Sequence, residues 1–249
     1  MRRLGWLLTT LAALVVALVV VAPARVAGVA LERASQGALA LTSTDGTLWH
    51  GRGTLRAGTV GLPVTWRLEP GALLRGNVAV TLGSDADDGA PRGRIEWSPR
   101  SVTIEQFAAV VPAGAIAATL SARPRLDARG RVLVRSEHWT WSQDAGPSGN
   151  LDVGWEDAAI ALAGASPVAL GNVRIALAGS GDGANGPVQN EGGEVAVDGT
   201  IAVAASGAGT LDLLVRPRRA DDPALAPMLR LLGTPERDGT RVRWTWPAP

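Results

Sequence analysis

The sequence contains no cysteine, no lysine and no tyrosine, and it has only two histidines and one phenylalanine. Without cysteine, the chain has no disulfide, no thiol nucleophile and no cysteine-bound metal. The two histidines, His50 and His138, stand far apart in sequence, so they provide no multi-histidine metal site. We therefore assign no metal ligand, no cofactor and no cofactor-binding residue.

Motifs typical of catalysis are also missing. No Gly-x-Ser-x-Gly elbow frames a serine, and Gly181-x-Gly183 lacks the context of a nucleotide-binding loop. The acidic stretch from Ser84 to Gly93 lacks the ligand spacing and closing glutamate of a calcium loop, which favours an exposed loop. We expect a protein without catalytic residues that is not an enzyme. A hydrolase that uses His50 or His138 is the enzymatic alternative.

The charge balance argues against nucleic acid as a partner. All 24 basic residues are arginine, they oppose 23 acidic residues, and the net charge is +1. A nucleic-acid-binding surface needs a basic patch or stripe, and no basic cluster here exceeds three residues. The 31 glycines and 16 prolines have no triplet period, which excludes collagen and favours a turn-rich β protein.

The N-terminal segment predicts a membrane anchor. Leu4 to Ala22 is free of charge and long enough to cross a hydrocarbon core of ~30 Å. Arg2 and Arg3 before it place the N-terminus in the cytoplasm. Ala22-Pro23-Ala24 leaves open a cleaved signal peptide, although such apolar regions usually span only ~7–15 residues. We expect residues 1–24 to form the cytoplasmic N-terminus and transmembrane helix, and residues 25–37 to form a juxtamembrane helix or linker.

From residue 38 to residue 249 the hydrophobic period is mainly two, which predicts a β-rich domain. The fold class is therefore mainly β: an antiparallel, twisted sheet or open β-groove after one transmembrane helix. The pattern places Val64, Trp66 and Leu68 on one strand face, and Trp139 and Trp141 on one face with His138 on the other. These strands predict an extracytoplasmic domain built on hairpins.

Several local signals predict turns and further elements. Asp45-Gly46, Asp127 to Gly130 and Asp198-Gly199 are typical of turns, and the first is followed by an expected strand at Thr47–Trp49. Gly114 to Leu120 is predicted to be a strand. Asp221-Asp222-Pro223 followed by apolar residues at helical spacing predicts one short C-terminal helix that includes Leu225 and Leu229.

The stretch from Asp144 to Asn150 is rich in turn-forming residues and suggests a boundary between two halves, 38–145 and 146–249. A strand containing Trp66 and a later strand containing Trp155 are each followed by an alternating strand that begins with asparagine. A duplicated β unit would explain this echo.

The chain carries three groups of motif residues in a characteristic order after its apolar N-terminal run. They are Gly46, Thr47, Leu48, Trp49 and Gly51; then Trp66, Pro70, Leu73, Leu74 and Gly76; and finally Gly233, Pro235 and Gly239. In their order and spacing these residues resemble the type II secretion system protein N family (general secretion pathway protein N) of Gram-negative bacteria. His50 departs from the small polar residue expected at its position.

The resemblance implies a single-pass protein of the cell inner membrane, with a cytoplasmic N-terminus and a periplasmic C-terminal domain. It implies an accessory or assembly role in the machinery that moves folded proteins across the outer membrane. The implied partners are inner-membrane platform proteins, the outer-membrane secretin and, through the N-terminal helix, the membrane. The family supplies no catalytic residues to carry over.

Two functions of different kinds follow from these observations. The leading one is an assembly subunit whose sheet offers faces and unpaired edges to other proteins. The alternative is a periplasmic β-groove that binds or passes lipid or another apolar ligand, because the strands contain many Ala, Val and Leu residues.

Trp49 is expected to be a core residue. If its ring is fully buried, replacement by alanine should lower the stability of the fold by ~3–5 kcal/mol.

Overall fold

The computed structural model describes residues 22–37, 39–57, 60–83, 89–119, 126–162, 166–219, 225, 229 and 233–246. The predicted transmembrane helix falls on residues 4–22 and so lies almost wholly outside this part. None of the helices within the described residues has the length and apolar character needed to cross a bilayer.

The described strands form one open sheet of fourteen antiparallel strands, in the order β1 to β12, then β14 and β13. The strands are β1 (Leu39–Gly46), β2 (His50–Ala57), β3 (Val60–Leu68), β4 (Val78–Gly83), β5 (Arg92–Trp97), β6 (Ser101–Pro112), β7 (Leu126–Ser142), β8 (Gly146–Leu162), β9 (Val168–Ser180), β10 (Gly183–Glu191), β11 (Val195–Ala204), β12 (Gly209–Pro217), β13 (Thr234–Glu236) and β14 (Gly239–Trp246). The mainly β prediction is confirmed. The sheet continues through the β7–β8 pair, and the division into two halves stays a prediction.

Three short helices accompany the sheet: α1 (Arg25–Ala34), α2 (Pro70–Leu73) and α3 (Ala113–Thr119). α1 lies within residues 25–37, where a juxtamembrane helix or linker is predicted, and it contacts β1; its place beside a membrane stays a prediction. It stops where Gln36 and Gly37 adopt left-handed φ values of 53° and 83°. Such a conformation interrupts the helical hydrogen-bond pattern and reverses the chain, which here continues into β1.

The prediction of a strand from Gly114 to Leu120 is wrong over the described residues, because these form α3. The segment is rich in alanine, the residue with the highest helix propensity. Ala113 and Ala115 are buried, and α3 contacts β6, β7 and β2. Packing of small alanine side chains against the sheet therefore stabilises a helix where sequence alternation had suggested a strand.

Two predicted turns are also wrong. Asp127 to Gly130 lies inside β7, where Gly130 has a φ of 99° at a register shift between Arg129 and Arg131. The glycine thus supports a β-bulge within a continuous strand. Asp198-Gly199 lies inside β11, and a Cβ on Gly199 would come within 2.1 Å of the Asp212 carbonyl oxygen. This glycine allows close strand packing.

The first hairpin differs from its prediction by three residues. β1 ends at Gly46, with a φ of 95°, and the connection consists of Thr47 to Trp49, which had been predicted to be a strand. The amide of Thr47 donates to the carbonyl of His50 at 2.8 Å, which closes this turn. The Asp45-Gly46 signal therefore marks the correct hairpin but not the correct end of the strand.

The strand register separates the sheet into an apolar and a polar face, because directly paired residues lie on the same side. The pairs that follow the apolar face are Leu41 with Leu55, Leu55 with Leu62, Trp66 with Leu82, Val80 with Ile95, Ile95 with Ile104, Ile104 with Trp139, Leu151 with Leu177, Ile175 with Val188, Ile201 with Leu211, and Leu211 with Trp244. The opposite face carries pairs such as Arg94 with Glu105 and Asp212 with Arg243. The predicted placements of Val64, Trp66 and Leu68, and of Trp139 and Trp141 opposite His138, are confirmed.

Part of the apolar face is covered. Leu225 and Leu229 are helical and buried in a cluster with Val195, Val197 and Val215, among other valines. They agree with the predicted C-terminal helix, whose other residues lie outside the described part. Elsewhere on this face, residues such as Leu151 and Leu177 are only half-buried.

The sheet has two distinct ends, because consecutive antiparallel connections alternate between them. We define the tryptophan end as the end with the β1–β2, β3–β4, β5–β6, β7–β8, β9–β10 and β11–β12 connections. Most described tryptophans lie in or near the terminal residues of strands at this end: Trp49, Trp66, Trp97, Trp139, Trp141, Trp244 and Trp246. Trp155 lies nearer the opposite end.

Candidate functional site

The first group of motif residues forms a compact structure around Trp66. Its side chain is 8% exposed, and its indole N–H donates to the Leu48 carbonyl at 3.1 Å. Gly51 pairs with Trp66 across β2 and β3, and a Cβ on Gly51 would lie 2.5 Å from the Trp66 ring. The β1–β2 turn is therefore held by a tryptophan that needs a glycine beneath its ring.

Replacing Gly51 with alanine is expected to destabilise the protein by ~1–3 kcal/mol, because the new methyl group overpacks against Trp66. Urea unfolding of the full chain in detergent, followed by circular dichroism, measures this loss. Gly154→Ala in β8 is the control, since its nearest atom to an added Cβ is 3.9 Å away. Equal stability of the two variants would contradict the packing account.

Trp49 is half-buried. The expected loss of stability on its replacement by alanine applied to a fully buried ring, and Trp49 is not fully buried. Its backbone carbonyl accepts a 2.7 Å hydrogen bond from the amide of Leu68, which ties the turn to the end of β3. Trp66 is the buried tryptophan of this region. Trp49 belongs to the first motif group and Trp66 to the second, and no pattern in the sequence distinguishes the burial of one from that of the other.

The second motif group forms the connection between β3 and β4. Pro70 begins α2, Ala72 is 1% exposed, and Gly76 has a φ of 78° that ends the turn. Leu73 and Leu74 are 39% and 91% exposed, respectively. This short helix therefore anchors itself through one alanine and presents two leucines to its surroundings at the tryptophan end.

The third motif group lies at the other edge of the sheet order. Pro235 is exposed in β13, opposite Thr240, and Gly239 begins β14. A Cβ on Gly233 would lie 2.1 Å from the Arg241 carbonyl oxygen, and one on Gly239 would lie 2.5 Å from that of Val215. The glycines permit close backbone packing there. The structure brings the first two motif groups together in β1–β4 and leaves the third on β13–β14.

The histidines do not meet in a site. His50 is exposed at the start of β2 and contacts Thr47, whereas His138 is exposed in β7 and lies 3.3 Å from the Thr140 hydroxyl. Five strand positions separate β2 from β7 in the sheet order. Within the described residues, no group of three or more His, Cys, Asp or Glu side chains could hold a metal ion.

Arg94 is the centre of a network of charged residues on the polar face, which the sequence analysis did not predict. Arg94 lies 2.9 Å from a Glu69 oxygen and 3.1 Å from a Glu105 oxygen, and it also pairs with Glu96. Glu96 accepts a further 2.8 Å hydrogen bond from the Asn77 amide. The network joins Glu69 and Asn77, which flank the α2 connection, to β5 and β6, and only the strand register brings these residues together.

The network lowers the pKa of two carboxyl groups. The hydrogen bond from Arg94 is the main cause that lowers the pKa of Glu69, and those from Asn77 and Arg94 lower the pKa of Glu96. A lowered folded-state pKa stabilises the protein above the ordinary carboxyl value, and this contribution is lost as the pH falls through the folded-state pKa. Arg94 is the one cation that forms ion pairs with Glu69, Glu96 and Glu105 in this network.

For the wild-type chain we expect the melting temperature to fall as the pH drops below the ordinary glutamate pKa of 4.5. Arg94→Gln removes the largest cause that lowers the pKa of Glu69, whereas burial and the nearby Glu96 still raise it, so the variant should lose less stability on acidification than the wild type. Melting curves at several pH values test this weaker acid dependence. Arg174→Gln, elsewhere on the polar face, should keep the wild-type dependence, and an unchanged profile in Arg94→Gln would contradict the account.

The last edge of the sheet is only partly paired. β13 pairs with residues Gly239 to Arg241 of β14, so Val242 to Trp246 have no described strand on that side. Trp244 in this segment is 50% exposed. A free edge presents unpaired backbone groups to which another strand can add.

One protein-family model matches nearly the whole of the sheet. A family model described as "Type II secretion system (T2SS), protein N" matches residues 37–243. The matched range contains all three motif groups and every described strand except the last residues of β14. No curated protein and no solved structure matches the chain.

Proposed function

Because this chain belongs to the type II secretion system protein N family, we propose that it is a non-enzymatic assembly subunit of the type II secretion machinery. The family match over residues 37–243 carries this proposal. Family members are accessory components of the system and are not known as enzymes. The work of such a subunit is to bind and position other proteins.

The proposed topology is a single pass through the inner membrane with the sheet in the periplasm. The uncharged run from Leu4 to Ala22 supports it, together with Arg2 and Arg3 before the run. The run ends beside the β1–β2 turn, since the carbonyl of Ala22 accepts a 2.8 Å hydrogen bond from the amide of Leu48. In this arrangement the sheet stands directly on the membrane.

The proposed surfaces for protein partners are the polar face and the free edge of β14. The polar face carries exposed charges across the sheet, which suits reversible contacts between folded proteins. The edge from Val242 to Trp246 suits addition of a strand from a partner. The partner classes are inner-membrane platform proteins and the outer-membrane secretin.

A deletion strain tests this function. We expect it to retain exoproteins in the periplasm, and we expect the wild-type chain to restore secretion and to co-purify with other secretion components. Trp244→Glu, at the free edge, should lower this co-purification, whereas Glu191→Arg, an exposed change in β10, should not. Complete secretion by the deletion strain, with no component co-purifying with the wild-type chain, would refute the proposal.

We propose lipid or another apolar ligand as a second candidate function because the apolar face continues from β1 to β14 and is half-exposed around Leu151 and Leu177. Burial of an acyl chain against such a face is favourable in proportion to the apolar area removed from water. The polar residues of the opposite face, such as Asp152 and Arg174, restrict this function to one side of the sheet.

Mass spectrometry of lipids retained by the purified chain tests the second function. Leu177→Arg places a charge on the apolar face and should remove bound lipid. Ala178→Arg places the same charge on the neighbouring residue, which faces the other side of β9, and should leave lipid binding intact. Absence of lipid from the wild-type protein, or equal retention by the two variants, would count against a lipid groove.

A further inference from the structure

Exposed apolar side chains are concentrated at the tryptophan end of the sheet. Among the described residues the large exposed hydrophobic side chains are Leu73, Leu74, Trp97, Trp244, Val26 and Val29. Two of them lie on α1, and the other four lie in α2, in the following turn, or near the last residue of a strand at this end. Val29 follows Gly28, which packs against Leu41 near the start of β1, so α1 extends away from the tryptophan end, and the members of the set at that end are Leu73, Leu74, Trp97 and Trp244.

The first described residues lie at the same end of the sheet. The carbonyl of Ala22 accepts a hydrogen bond from the amide of Leu48, and Pro23 forms a bridge with Thr47, so the first described residues lie against the β1–β2 turn. Trp49, the next residue of this turn, is bonded to the end of β3, because its carbonyl accepts a hydrogen bond from the amide of Leu68. α2 begins at Pro70, two residues after Leu68. Ala22, at the end of the apolar run, and the exposed leucines of the α2 connection therefore lie close to the same turn.

Trp97 extends this surface along the same end. It is the last residue of β5, is 57% exposed, and pairs with Val78, which follows the α2 connection. Arg75, between the exposed leucines and β4, is also exposed, and its charge acts on Glu96 from beyond salt-bridge distance. The combination of leucine, tryptophan and arginine is typical of protein segments that lie at the level of lipid headgroups.

We infer that Leu73, Leu74, Arg75 and Trp97 dock on the surface of the lipid bilayer and hold the sheet upright on the inner membrane. This inference rests on the proposed anchoring of residues 4–22. The occupant is a membrane because an apolar run of membrane length ends within hydrogen-bonding distance of this end. The exposed arginine adds attraction to anionic headgroups.

The absence of native cysteine allows a direct test, because one introduced cysteine is the only site for a thiol-reactive fluorophore. The full chain is reconstituted in vesicles of phosphatidylethanolamine and phosphatidylglycerol that contain lipids with a nitroxide quencher, placed either at the headgroup or deep in the acyl chain. Labels are introduced in separate variants: Leu74→Cys, Trp97→Cys, Leu14→Cys and Glu191→Cys. Leu74 and Trp97 are exposed, so their replacement leaves the buried core intact.

We expect the labels at positions 74 and 97 to lose most of their fluorescence to the headgroup quencher, and the label at position 191, at the opposite end, to keep it. The label at position 14 should be quenched by the deep nitroxide. Quenching of the label at position 14 without quenching of the labels at positions 74 and 97 would overturn the docking inference and leave the anchor in place. No quenching at position 14 would refute the anchor itself.

Two other results would also overturn the inference. Quenching at position 191 equal to that at position 74 would mean that the sheet lies flat on the membrane. Labels at positions 74 and 97 that stay bright in vesicles, while photoreactive residues at these positions form adducts with a secretion component in cells, would assign this surface to a protein partner.

Discussion

Replacement of Trp66 with alanine is expected to destabilise the protein by ~3–5 kcal/mol, which is the cost of removing a buried tryptophan from a packed site. The ring is 8% exposed and covers Gly51, and its N–H donates to the Leu48 carbonyl. The substitution removes these contacts together and frees the β1–β2 turn. Urea unfolding of the full chain in detergent, followed by circular dichroism, measures the change.

Trp97→Ala is the matched control, because Trp97 is also on the apolar face of the first strands but is 57% exposed. It should change the free energy of unfolding far less than Trp66→Ala. Trp66→Phe should fall between the two, since it keeps most of the ring packing and loses the hydrogen bond to Leu48. Equal stabilities for Trp66→Ala and Trp97→Ala would contradict the packing described for the first hairpin.

Replacement of Val188 with aspartate is expected to prevent accumulation of the folded protein. Val188 is 3% exposed in a cluster with Ala158 and Val173, and partly buried residues such as Ile175 pack against it. An unpaired carboxylate at this site would have to be charged in apolar surroundings or be protonated. The cost, more than about 4 kcal/mol, is a large fraction of the stability of a typical protein.

Asn185→Asp in the same strand is the control, because Asn185 is exposed on the polar face of β10. It introduces the same carboxylate and should leave the yield of folded protein near the wild-type level. The amount of protease-resistant protein after membrane extraction measures both variants. A normal yield for Val188→Asp would show that the two faces of β10 are assigned incorrectly.

Hydrophobic alternation predicted much of the sheet because side chains on a strand point alternately to its two faces. It placed Val64, Trp66 and Leu68 together, and it separated His138 from its neighbouring tryptophans. This information is local, so it predicts a face without predicting the partner strand. The approach of Arg94 to Glu105 depends on register and could not be derived from spacing along the chain.

Glycine was the main source of error. The sequence signals at Gly130 and Gly199 were interpreted as turns, but one glycine supports a bulge and the other makes room for the Asp212 backbone. Both uses exploit a missing side chain, and neither reverses the chain. The alanine-rich α3 was misassigned for a related reason, because small residues alternate without showing whether a helix or a strand buries them.

The candidate site was predictable in part. The motif residues located the first hairpin and the α2 connection, but they did not indicate that Trp66 is buried while Leu74 is exposed. That difference depends on which side chain meets Gly51 across the sheet and which lies at the end of a short helix. Because of this difference, we assign a structural role to Trp66 and a docking role to Leu74.

The most direct test of the assembly role is site-specific photocrosslinking in cells that secrete through the type II system. A photoreactive residue is placed at Arg67 or Arg174 on the polar face, at Thr245 on the free edge of β14, and at buried Val188 as a control, and adducts are identified by mass spectrometry. We predict adducts with inner-membrane platform proteins or the secretin from the exposed positions and none from position 188. Exposed positions that form no adduct with any secretion component would contradict the proposed function.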